Sequence, residues 1–142
     1  MNRKSISKMC MMLAAFATLG TLAFPQQASS ESGCSNRTLS GDFGTLIEGS
    51  FVSNGWLLRT ASKMHFDGKG NVTTTDFVVL NGTPLSPTWT QKTGTYSVNA
   101  DCAATFLLEG VIGTHFMITN NGKEIRGVVD GDAITFTGSR VH

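Results

Sequence analysis

The stretch Trp56-Leu57-Leu58-Arg59-Thr60-Ala61-Ser62-Lys63-Met64-His65-Phe66-Asp67-Gly68-Lys69-Gly70-Asn71 decides the fold class. Taking every second residue puts Trp56, Leu58, Thr60, Ser62, Met64 and Phe66 on one side, and Arg59, Lys63 and His65 on the other. Side chains alternate across a β-strand with a period of two, so the run reads as a strand whose first set faces inward. It ends in Asp67 to Asn71, where glycines and an asparagine supply the positive φ that a tight hairpin needs. The chain therefore turns back at once, and the pairing is local and antiparallel.

The same grammar repeats on both sides of this stretch. Runs rich in Thr, Val, Ile and Phe are separated by Gly, Asn and Asp clusters, which predicts eight strands. They lie near Phe43 to Val52, Trp56 to Phe66, Val72 to Leu80, Thr88 to Val98, Ala103 to Gly110, Thr114 to Thr119, Lys123 to Asp130 and Ala133 to Arg140. Asn120-Asn121-Gly122 and Asp130-Gly131-Asp132 supply further hairpin turns, and Asn81 to Pro87 is a longer connection expected over one mouth of a barrel. Tyr96 with Val98, Phe106 with Leu108, Phe116 with Ile118 and Ile134 with Phe136 repeat the apolar face. The expectation is an all-β fold, a single antiparallel meander closed into a small barrel, with an open β-sandwich as the alternative.

The start of the chain reads differently. Arg3, Lys4 and Lys8 precede an uncharged apolar run from Met9 to Phe24, and small residues follow Pro25. This is the order of a secretory signal peptide, assigned to residues 1–30 with cleavage after Ser30, or after Ala28. The apolar run is shorter than the roughly 20 residues of a membrane-spanning helix, so no membrane insertion is expected after signal removal. The expected location is secreted or periplasmic. Residues 31–142 are then one domain.

The precursor has a formal charge of +1, whereas residues 31–142 hold eight basic and ten acidic residues, a net of −2. No Lys/Arg cluster makes the basic face that nucleic acid would require, so no nucleic-acid partner is expected. Cys10 falls in the apolar core of the signal, leaving Cys34 and Cys102 as an even pair for a disulfide in an oxidising compartment. No ligand set for zinc is found, so no metal and no cofactor are expected.

The segment Gly94-Thr95-Tyr96-Ser97-Val98-Asn99-Ala100-Asp101-Cys102 adds a likeness, together with Phe66 to Asn71 before it and Lys123-Glu124-Ile125-Arg126-Gly127 after it. On these residues the chain resembles a group of small secreted bacterial proteins of unassigned function that look like calycin-like or allene-oxide-cyclase-like eight-stranded β-barrels. The resemblance implies ligand binding or cyclase-type chemistry and transfers no catalytic residue. A lipocalin signature is absent, because Asn54-Gly55 stands where Gly-x-Trp would need its glycine one position earlier.

Candidate site residues follow from the inward face. Trp56, Tyr96, Phe106, Phe116 and Phe136 are the candidates to line a ligand cavity, which is built from apolar walls with a few polar handles. Asp76, Glu48 and Tyr96 are the candidates for catalysis. Asp76 leads, because it shares a side with Val78 and Leu80. His65 and His115 alternate with the outward set and read as surface residues, while Arg59 and Arg126 read as solvated strand arginines. Gly-x-Ser-x-Gly is absent.

Three functional readings follow. The first is a barrel that binds a small, largely apolar molecule in its interior. The second is a cyclase- or isomerase-type enzyme using the same cavity, and the third is a cell-envelope interaction module working through Val111-Ile112-Gly113 or the Pro84 to Pro87 loop. Homo-oligomer formation is left open.

Overall fold

The computed structural model describes residues 33–142. The segment read as a signal peptide, residues 1–30, and its expected cleavage position lie outside the described residues. Among the described residues nine strands occur in chain order: β1 Gly41–Ser50, β2 Leu57–Phe66, β3 Asn71–Leu80, β4 Thr83–Pro84, β5 Thr90–Val98, β6 Ala103–Leu108, β7 Ile112–Thr119, β8 Glu124–Val129 and β9 Ala133–Arg140. Eight of them are the expected eight, and β4 is a two-residue addition paired to the end of β3.

Each long strand pairs antiparallel with its neighbours, and β9 returns to pair with β1 while β2 pairs with β3. The sheet is thereby closed on itself. This is an eight-stranded meander barrel, and the open sandwich is ruled out, since a closed ring leaves no edge among the long strands.

The turns take the geometry their residues require. Gly68 and Gly70 have φ of 76° and 119° between β2 and β3. Within that turn the Asp67 carboxylate accepts from the backbone N–H of Lys69, Gly70 and Asn71 and from the Asn71 side chain. These four bonds, the Asn71 side chain first, hold its carboxyl down at about 2.

Alternation places the core. Phe43, Met64, Phe66, Val72, Tyr96 and Ile125 are buried together toward the end of the barrel where β1 starts. Phe66 meets Phe43 edge-on at 5.5 Å and Tyr96 at 5.0 Å, the arrangement that aromatic quadrupoles favour. Gly127 leaves room where β8 passes the rings of Phe116 and Phe136. A Cβ there would lie 2.7 Å from Phe136, so the two rings sit 5.8 Å apart over bare backbone.

A short 3-10 turn, Asn36–Leu39, closes this end of the barrel. It had no counterpart among the expected elements, although Ser35 and Thr38 form a reciprocal capping box. Leu39 is fully buried in the core, which stabilises by about 1.5–3 kcal/mol. Polar contacts fix the plug. Tyr96 Oη donates to the Asn36 carbonyl at 3.0 Å, and Asn36 Oδ1 accepts from Val98 N–H at 2.9 Å. The Arg140 guanidinium donates to the carbonyls of Thr38, Ser40 and Gly122 while lying over the Phe43 ring. The Cys34–Cys102 disulfide ties the plug to the β5–β6 turn across 68 residues of chain.

Candidate functional site

The other end of the barrel is not filled. A partly enclosed cavity of about 270 Å³ opens there. Its walls are apolar: Ile47 from β1, Leu58 from β2, Val78 and Leu80 from β3, and Phe106 and Leu108 from β6. Ile134 and Phe136 of β9 complete the ring, with Phe51, Leu85 and Ile112 at the mouth. Leu85 is held there because its N–H donates to Val78 O, so the Asn81 to Pro87 connection does lie over a barrel mouth. Such a space is near the lower end of small-molecule sites.

Three titratable groups line the cavity: Asp76, Lys92 and Asp132. Asp76 is 5 % exposed. Its Oδ1 accepts from Ser62 Oγ at 2.5 Å and its Oδ2 from Thr74 Oγ1 at 2.9 Å, so both oxygens are oriented by hydroxyls of the inner face. Lys92 is only partly buried, and it stands opposite Thr74 in the β3–β5 ladder, which sets it on the same inner face. The ion pairs among the described residues do not include it. Those pairs join Arg59 to Glu48, Lys63 and His65 to Asp42, His115 to Asp130, and Arg126 to Glu124. Asp132 sits at the rim, where its carboxylate accepts from Val52 N–H.

The expected site residues divide three ways. Phe106 and Phe136 line the cavity, and Asp76 faces it from β3. Tyr96 and Phe116 are buried in the filled part of the core and do not line the cavity. Burial raises the Tyr96 hydroxyl above its ordinary pKa, and that hydroxyl is engaged by the plug. Trp56 and Glu48 are corrections. Trp56 is 48 % exposed and precedes β2, because the turn containing Gly55, at a φ of 71°, ends the alternation one residue before the strand begins. Glu48 pairs across the ladders with Arg59 and Thr135, so it projects from the outer wall and has no access to the interior.

Lys92 was missed, although a signal was present. It shares parity with Gly94, Tyr96 and Val98 in Lys92-Thr93-Gly94-Thr95-Tyr96-Ser97-Val98, which already places it inward. On the outer wall, the Lys63 ammonium and then the His65 ring hold the Asp42 carboxyl below its ordinary value. His65 and His115 both face outward, as their alternation indicates. Among the described residues no group of three His, Cys, Asp or Glu stands close enough to hold a metal ion. No helix among them is long and apolar enough to cross a membrane.

A wider depression of about 660 Å³ lies on the outer wall beside Gly44, Ala61, Trp89 and Gly138. It is shallow and open to solvent, whereas the interior cavity is walled by eight strands. At the rim, Val111 is 78 % and Leu85 64 % exposed, both in the segments expected to show apolar surface.

The architecture is consistent with calycin-like barrels. No family model matches this chain, and no curated protein or solved structure matches it either.

Proposed function

We propose that this chain is an exported barrel, secreted or periplasmic, that binds a small, largely apolar molecule in the open half of its interior. The cavity of about 270 Å³, apolar on nearly every wall and carrying one buried carboxylate, is the observation that supports it. A well-packed interior keeps few voids larger than a water molecule, so an unfilled space of this size calls for an occupant. The signal-like start of the chain and the disulfide support export.

Native mass spectrometry of the exported protein, purified without detergent, tests this reading. The expected spectrum shows the polypeptide plus one small organic molecule, and Val78→Trp, which fills the cavity from β3, loses that extra mass. Bare polypeptide in both, with no uptake of added alkyl probes, removes the reading.

A cyclase- or isomerase-type activity is the second reading, favoured by the inward position of Asp76 against apolar walls. There a carboxylate can accept or return a proton to a bound substrate. Its test is the identity of the recovered ligand. Recovery of the added precursor unchanged from the wild-type protein removes this reading, and the same product from wild type and Asp76→Asn removes Asp76 from it.

A further inference from the structure

The cavity has a polar centre that is more specific than its walls. Asp76 carries its carboxylate into a largely apolar cavity, and both oxygens are pinned, by Ser62 Oγ and Thr74 Oγ1. These donors are neutral hydroxyls. A buried carboxylate is best compensated by a cation or by charge-assisted hydrogen bonds, and no cation of the protein lies within ion-pairing distance of this one among the described residues. Each carboxylate oxygen has two acceptor sites, so the hydroxyls leave capacity on both oxygens.

The other titratable groups on the cavity wall decide the sign of the partner. Asp132 adds a second carboxylate at the rim, and among the described residues of the lining Lys92 is the one basic side chain, so the lining carries a formal charge of −1. Lys92 is partly exposed and carries its charge on a long flexible stem that can withdraw toward water, whereas Asp76 is short, almost fully buried and held by two bonds. A ligand cation therefore meets a lysine that can move aside, whereas a ligand anion meets an aspartate that is held in place. As for size, at about 30 Å³ for each water-sized unit the cavity takes on the order of ten non-hydrogen atoms.

We propose that the cavity selects small apolar amines, with the hydrocarbon body against Leu58, Val78, Phe106 and Ile134 and the ammonium donating to Asp76. The inference rests on the interior cavity being the ligand site. Charge makes the contact with Asp76 stronger than a neutral alcohol could, and the apolar walls exclude the water that would otherwise screen it.

Titration calorimetry near neutral pH with n-hexylamine, 1-hexanol and hexanoate, three probes of one chain length, tests it on the folded, disulfide-bonded protein. Hexylamine is expected to bind at least about ten-fold tighter than hexanol, with hexanoate weakest. In Asp76→Asn, whose amide oxygen accepts from one of the two hydroxyls while its NH2 donates to the other, the preference of amine over alcohol is lost while hexanol binding persists. The wild-type ranking decides by itself if that variant does not fold. Hexanol equal to or tighter than hexylamine overturns the amine assignment and leaves an apolar site, and hexanoate tightest overturns it in favour of Lys92 as the anchor. No binding by any of the three overturns the interior site itself.

Discussion

Ser62 and Asp76 are register partners across the β2–β3 ladder, and the serine hydroxyl donates to the aspartate carboxylate at 2.5 Å inside the barrel. Thr74, two residues before Asp76, donates to the other oxygen. The carboxylate is thus built into the sheet by its direct cross-strand neighbour and by the next inward residue of its own strand.

Ser62→Ala removes one of these donors and leaves a buried oxygen short of a partner. The expected loss is about 1–3 kcal/mol of unfolding free energy, read from the urea midpoint at unchanged slope. Replacing both members, Ser62→Ala with Asp76→Leu, should recover part of that loss because no unsatisfied carboxylate remains. Strict additivity of the two single effects would show that the contact contributes nothing.

The disulfide closes a long loop and holds the plug that seals the filled end. In the chain-entropy model, a cross-link over 68 residues contributes roughly 4 kcal/mol. Reduction, or Cys34→Ser with Cys102→Ser, should therefore lower the thermal midpoint clearly. Equal midpoints with and without reductant would show that the link does not stabilise the barrel.

Tyr96→Phe deletes the hydroxyl that donates to Asn36 O, at an expected cost of about 1 kcal/mol. It should also change the alkaline limb of the stability profile. Burial raises the folded hydroxyl above its unfolded value of 10.0, so the neutral form is favoured in the native state. The associated stability is complete below that value and is lost as pH rises through the higher folded one. The phenylalanine variant should lack this decline, and identical alkaline profiles would refute the assignment.

Asp67 titrates in the opposite direction. Its carboxyl is lowered from 3.8 to about 2 by the Asn71 side chain and the turn N–H groups, so its contribution is present above 3.8 and lost as pH falls toward 2. Asp67→Asn should lose stability less steeply than the wild type over that interval, with Asp42 retaining its own share of the slope. Acid unfolding followed by circular dichroism measures both slopes, and parallel curves would refute the role given to the turn.

Much of the fold could be read along the chain because its determinants are local. Alternation from Leu58 to Phe66 marks a strand with one buried face, and the glycines and asparagines at 68, 70, 121 and 122 adopt the left-handed turns their sequence positions require. Cys34 and Cys102 are joined as expected of an even pair. The reading failed where an element stops, as at Trp56, because period two has no meaning in the turn before the strand. It failed again at Glu48, a candidate for catalysis whose register with Arg59 sets it outside.

The strands, the faces of most of their residues, the hairpin turns and the cysteine pairing each follow from a spacing of a few residues or from a count along the chain. That Phe106 and Phe136 border open space while Tyr96 and Phe116 are packed solid, and that Asp76 and Lys92 share one cavity, emerges only in the closed barrel. Those facts depend on height along the barrel axis, which strand tilt and closure set through the pairing of β9 with β1 and β2 with β3. Alternation records which face a residue occupies and carries no information about that height.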